Sequence, residues 1–250
     1  VRLWDAILTL AKQVLTEHGF ELLYVPHMVN SRVAAGTGFL PRGEERQIYK
    51  TEDVDLNLIA TAELPLTGLY MDSEVDVTEP TKVAAVSPCY RMEAGTYGKF
   101  SKGLYRVHQF EKLEMYVYAQ PGQGESILEQ ILAVEEELCE RLEIPYRVVR
   151  IAAGDLSAPA YKKYDVEYWS PVDQSYKELT SCSDCTDYQA RRLNVRARAE
   201  DGTLTYPHTL NGTAVTSSRT LIAILENHQT AEGRVKLPAA LAEIYGGEFL

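Results

Sequence analysis

The chain has 250 residues, 45% of them hydrophobic and 24% charged, which suits one substantial core of an ordinary globular protein. Twenty-five basic and 36 acidic residues leave a formal net charge of -11, so there is no general electrostatic pull on nucleic acid, and such a partner needs a local basic patch or a separate basic module. Four cysteines (Cys89, Cys139, Cys182 and Cys185) and no visible signal peptide or spanning segment suit a reducing compartment, the cytoplasm or else an organelle, with no membrane partner.

The chain opens inside a helical pattern, with Leu3, Ile7, Leu10 and Val14 at helical spacing and Gly19 as a stop. Residues 20–25 read as a strand ending at Pro26. Helix and strand are either core or a subunit interface. Residues 30–46 read as a loop of Gly and small residues, able to act as a lid, and 48–59 as short strand-like pieces. Thr61 opens a short helix as a cap, where Glu63 could simply favour the positive end.

Residues 86–119 read as strand, Gly-rich turn and strand. In the second arm Phe110, Lys112, Glu114, Tyr116 and Tyr118 share one face, and Leu113, Met115 and Val117 the other. Arg91 and Glu93 share a face of the first arm. Charges in mid-strand are disfavoured, so this face is either a solvated set of ion pairs or a cavity wall. Arg91 and Arg106 suit a polyphosphate, and Phe110 offers a flat surface for a base.

A helix of about 17 residues follows, marked by Ile127, Ile131, Val134, Leu138 and Leu142. A strand starts at Pro145, then a loop surrounds Gly154 and Asp155. Residues 164–169 and 176–182 read as paired strands, with Leu179 inward and Glu178 outward under strict alternation. Cys182 and Cys185 have the spacing of half a zinc site, with no second pair to complete it. Arg191, Arg192, Arg196 and Arg198 form the one basic cluster. Residues 203–210 read as a strand entering Asn211-Gly212-Thr213, and Ser217 or Ser218 as the cap of a helix reaching about His228. Arg219 in its first turn opposes the helix field unless an anion meets it there. There is no phosphate loop of the GxxxxGK[ST] kind and no strand–GxGxxG–helix unit, so the strand pairs favour a largely antiparallel sheet flanked by helices, an α+β fold.

Spaced blocks across nearly the whole chain add a resemblance. GTGFLP (36–41), TAELPLT (61–67), SPCYRMEAGTYGK (87–99), GLYRVHQFEKLE (103–114), ELTSCSDCTDYQARR (178–192), HTLNGTAVTSSRT (208–220) and AILENHQ (223–229) together resemble the catalytic domain of the seryl-tRNA synthetases, a class II aminoacyl-tRNA synthetase family. The resemblance implies an antiparallel sheet with surrounding helices over residues 1–250. It implies a homodimer through the first helix and strand, and ATP-dependent activation of L-serine followed by transfer to tRNA(Ser). Arg91 would hold the α-phosphate and the substrate carboxylate, Glu93 the adenine amino group, Arg106 the outer phosphates. Phe110 would stack on adenine, with Arg219 on its other face or at the γ-phosphate. Glu178 and Ser181 resemble magnesium ligands, and Thr61, Glu63, Glu114, Asn211 and Thr213, with Arg91, the serine pocket. Catalysis would rest on Arg91, Glu93 and Arg219, with ATP and Mg²⁺ required.

Three departures stand beside this. Phe100-Ser101-Lys102-Gly103 replaces a segment that usually carries Arg, and residues 212–219 differ from the GSGLAVGR of many bacterial members. The family's N-terminal tRNA-binding coiled coil is not in this chain. The alternatives are a paralogue with a binding or regulatory role, or a ligase loading a different acceptor. The relatives that load carrier proteins resemble a zinc-dependent branch, whereas this chain has the carboxylate-type pocket.

Overall fold

The computed structural model describes residues 1–39, 48–93, 103–199 and 201–250. The chain starts with helix α1 (Arg2–Glu17) and strand β1 (Glu21–Leu23), followed by β2 (Met28–Val29), α2 (Ser31–Gly36), β3 (Asn57–Leu58) and α3 (Glu63–Thr67). The hairpin strands are β4 (Thr81–Tyr90) and β5 (Gln109–Ala119), and α4 (Gly124–Arg141) follows. Then come β6 (Tyr146–Arg150), β7 (Lys162–Ser170), β8 (Ser175–Asp184), α5 (Tyr188–Leu193), β9 (Ala197–Arg198), β10 (Leu204–Thr205), β11 (His208–Thr216), α6 (Arg219–Asn227) and α7 (Ala239–Tyr245).

Among the described residues seven strands make one sheet in the order β1-β4-β5-β11-β8-β7-β6. Every pair is antiparallel except β1 with β4, which is the largely antiparallel sheet expected, with one parallel pair at its edge. Alternation gives the sheet two faces. One carries Leu113, Met115, Val117, Val166 and Tyr168 into the main core, beneath the apolar stripes of α1 and α4. Tyr116 and Tyr118 of the opposite face pack with Leu66, Ala190 and Leu193 around α3 and α5. The middle of that face is left open for the site.

Three local expectations change and one falls partly outside the described residues. Residues 31–36 are helical, because the Asn30 side chain accepts from the Val33 N–H and caps them. The part of the lid expectation at 40–46 lies outside the described residues, as does Lys102. The strand read at 203–210 breaks between β10 and β11, around Tyr206 and Pro207. Ser218 takes the N-cap position of α6, as expected, but its side chain makes no cap bond: Thr216 Oγ1 accepts from the Arg219 N–H at 3.2 Å, while Thr220 Oγ1 accepts from the Thr216 N–H at 3.0 Å. The Ser217 hydroxyl instead accepts from the Glu111 N–H at 2.8 Å, tying α6 to β5.

Candidate active site

A cavity of about 480 Å³ opens on the sheet face away from α1 and α4. Its walls come from the end of β4, from β5, β8, β11 and the first turn of α6. Arg91, Glu93, Arg106, Phe110, Glu178, Ser181, Thr213 and Arg219, all singled out from the sequence, line it. Lys112 and Lys163 line it too. Among the described residues that makes five cations against two carboxylates, a balance suited to a polyanion.

The arginines are held by neighbours. The Arg91 guanidinium lies 5.1 Å over the Phe110 ring, and its Nε donates to the Ala60 carbonyl at 3.4 Å. Arg219 pairs with Glu178 at 3.1 Å and sits 4.9 Å over the Tyr105 ring. Arg106 pairs with Glu93 at 2.6 Å, and Glu93 adopts φ +50°, a left-handed conformation that L residues seldom take. The pair joins two residues whose expected partners lie at opposite ends of a nucleotide.

Glu178 and Ser181 are three residues apart, a spacing that puts two side chains on opposite faces of a regular strand. Here the register shifts, because Val166 faces Thr180 while Glu167 faces Glu178. Leu179 is the extra residue of a β-bulge, which returns Ser181 to the face of Glu178. Burial opposes the Glu178 charge, but Arg219 and then Lys163 outweigh it, and its pKa lies below the usual carboxylate value. The donor set is one carboxylate and one hydroxyl, and no group of three or more His, Cys, Asp or Glu able to hold a metal occurs among the described residues. That fits magnesium, which uses one or two protein oxygens and takes the rest from phosphates and water.

Lys112 and Thr213 of the cavity lining adjoin a buried polar cluster on α3, β5, α5 and β11. Glu63 is buried at 7% exposure, and its Oε1 accepts from Gln189 Nε2 at 2.8 Å and Asn211 Nδ2 at 3.0 Å. The reading of Glu63 as a mere helix-end charge is therefore corrected. Ala62, not Thr61, takes the N-cap position of α3, and the Thr61 hydroxyl one residue earlier accepts from the Glu63 N–H at 3.2 Å. Glu114, at 2% exposure, accepts from Thr213 Oγ1 at 3.4 Å and pairs with Lys112. Burial, and then the like charge of Glu114, push Glu63 up to about 7. Burial also raises Glu114, opposed by Lys112 and Arg91.

Lys112 and Gln189 were not singled out as site residues from the sequence. Lys112 stood on the right face between Phe110 and Glu114, and that was its signal. Gln189 had none: it is fully buried, accepting from Tyr116 OH and Thr209 Oγ1 at 2.8 Å each, and nothing in YQARR marks one residue as such a hub. Cys182 and Cys185 are buried free thiols, and Cys185 accepts from Asn211 Nδ2 at 3.7 Å.

Residues 48–228 match the family model described as the tRNA synthetase class II core domain (G, H, P, S and T). The chain belongs to this class II synthetase core-domain family. The core is 51% identical to a serine–tRNA ligase of Rubrobacter xylanophilus, an alignment covering 96% of this chain and 57% of that protein. Among solved structures, seryl-tRNA synthetase from Pyrococcus horikoshii complexed with ATP superposes with a TM-score of 0.94 at 44% identity, over 100% of this chain and 57% of that one. A cytoplasmic serine–tRNA ligase from Naegleria fowleri in complex with AMP gives 0.89 at 35% identity, over 100% and 59%. The class II core described above thus spans somewhat more than half the length of the relatives it matches.

Proposed function

We propose that this chain is the catalytic domain of a serine–tRNA ligase, which activates L-serine with ATP and passes it to tRNA(Ser). The observation that carries the reading is the adjacency of two unlike clusters. The groove lined by Arg91, Arg106 and Arg219 is also lined by Lys112 and Thr213, and these two bond Glu114 in a buried polar cluster that includes Glu63 and Asn211. The first suits a triphosphate, the second a small amino acid with an ammonium and a hydroxyl. Relatives of the same core have been solved with ATP and with AMP.

In this reading no protein nucleophile is needed. The serine carboxylate attacks the α-phosphorus, a carboxylate–phosphorus bond forms, the bond to the β-phosphate bridging oxygen breaks, and pyrophosphate leaves. Arg91 stands where both the carboxylate and the α-phosphate meet, and stabilises the charge gathering there. Arg219 and Arg106 hold the outer phosphates, Phe110 stacks on the adenine, and Glu93 accepts from its amino group. Glu178 and Ser181 would hold magnesium, which supplies charge neutralisation on the phosphates. Glu63 with Asn211 receives the ammonium, Thr61 supports Glu63, and Glu114 with Thr213 receives the hydroxyl. A site that hydrogen-bonds a hydroxyl rejects alanine far better than shape alone does.

The same reading makes the molecule a homodimer and places it in the cytoplasm. No helix among the described residues is long and apolar enough to cross a membrane. The experiment is exchange of labelled pyrophosphate into ATP, with serine against alanine, threonine and cysteine. Exchange with serine alone is expected, and none with any amino acid from folded protein would overturn the assignment.

A further inference from the structure

Behind the site, on the opposite face of the sheet, α4 carries Glu135 at 1% exposure among Ile131, Leu138 and Cys182. It stands on the core-facing stripe, four residues after Ile131 and three before Leu138, where packing alone calls for an apolar side chain. Its Oε2 accepts from Thr180 Oγ1 at 2.9 Å. Its Oε1 has no hydrogen-bond partner among the described residues. Thr180 is the residue directly after the bulge that turns Ser181 to the face of Glu178. Gly212 lets the carboxyl approach: a Cβ there would overlap Ile131 and stand 3.0 Å from Glu135 Oε1.

We propose that Glu135 is a positioning residue that holds the β8 bulge through Thr180, so that the phosphate-side pair Glu178 and Ser181 stays on one face of the strand. The proposal rests on the function proposed above. A slide of the bulge by one residue would reverse every side chain beyond it. On β8 a slide would take Ser181 off the site face. An apolar residue at position 135 would pack as well or better but could not hold the Thr180 hydroxyl. Burial pushes the Glu135 carboxyl well up, and glutamine keeps its shape and a hydrogen bond to Thr180.

The test compares Glu135→Leu, Glu135→Gln and Thr180→Val with the parent chain. Three quantities are read: the Tm, the rise in Tm produced by ATP with magnesium and separately by serine, and serine-dependent pyrophosphate exchange per folded molecule. Glu135→Leu is expected to keep or raise the Tm yet lose tenfold or more in exchange and at least half of the ATP-induced rise in Tm. Glu135→Gln is expected to restore both to within twofold. Thr180→Val removes only the hydroxyl and should shift both in the direction of Glu135→Leu. Exchange and ligand-induced shifts within twofold of the parent in Glu135→Leu would overturn the proposal. So would a loss that follows the fraction unfolded and is not rescued by glutamine. If the parent itself shows no exchange, the functional reading fails, and the ATP-induced rise in Tm decides on Glu135 by the same criteria.

Discussion

Glu63 carries the sharpest consequence at the scale of single residues. Its pKa of about 7, raised by burial and by Glu114, lies within the working range of most enzymes. Only the ionised form can pair with an ammonium, so serine affinity should improve as pH rises through 7 and level off above it. The apparent KM for serine is expected to increase about tenfold per unit below 7, the slope of a single proton. Glu63→Gln should weaken binding and flatten the profile. A wild-type KM that stays constant between pH 6 and 8 would contradict the assignment. The same shift bears on stability with a definite sign. Between its ordinary value of 4.5 and about 7 the folded chain keeps a proton that the unfolded chain has released, so raising pH through that window weakens the fold through this group. Arg91 gives a second residue-scale expectation. Its guanidinium is braced by Phe110 and the Ala60 carbonyl at the cavity wall. Arg91→Ala should lower exchange by roughly 10²–10³-fold, the typical loss when one preorganised donor at a developing charge is removed. The Tm should hold, because Arg91 contributes no apolar core, and wild-type exchange in this variant would refute its role.

At the scale of elements, the site depends on how α4 lies against β8 and β11. Gly212 is the point of closest approach, with Ile131, Glu135 and Cys182 all facing the space a Cβ would fill. Gly212→Ala is expected to destabilise by about 1–3 kcal/mol, the usual cost of overpacking a dense contact, read as a lowered midpoint in urea. An unchanged midpoint would show that α4 can retreat freely. This contact also marks the limit of what the sequence reveals. The alternation of Phe110, Lys112 and Glu114 against Leu113 and Met115 identified the site face of β5, because a half-buried strand writes its two faces into a period of two. The same rule fails on β8. Strict alternation separates Glu178 from Ser181, and only the extra residue at Leu179 brings them together. A bulge is set by the partner strand and by Thr180 reaching Glu135, neither of which is local in sequence. Gln189, buried 126 residues away from the Glu63 it bonds, was illegible for the same reason. The fold was more accessible, since the helices of the main core announce themselves by apolar spacing. Even so, the parallel pairing of β1 depends on a partner 62 residues distant.

At the scale of the whole molecule, the structure separates two uses of the N-terminal segment that the sequence left together. The apolar stripe of α1 (Leu3, Ile7, Leu10, Val14) is buried within its own chain, so the helix serves as core. The strand next to it behaves differently. β1 is the edge of the seven-stranded sheet, Leu22 is 41% exposed, and Tyr24 just beyond it is fully exposed. Met28 is also exposed, at 43%. An edge strand with open hydrogen-bonding groups and large apolar side chains is what natural proteins usually cover or blunt. A second copy of this chain, meeting the same edge about a two-fold axis, would cover it self-complementarily. The strand edge, more than the helix, should therefore carry the homodimer proposed above. Leu22→Glu combined with Tyr24→Asp places two like charges on each side of that axis and is expected to shift the molecule to monomer in analytical ultracentrifugation. The core contacts of α1 are untouched, so the far-ultraviolet circular dichroism should be retained. A dimer that persists at micromolar concentration in this double variant would place the interface elsewhere on the surface.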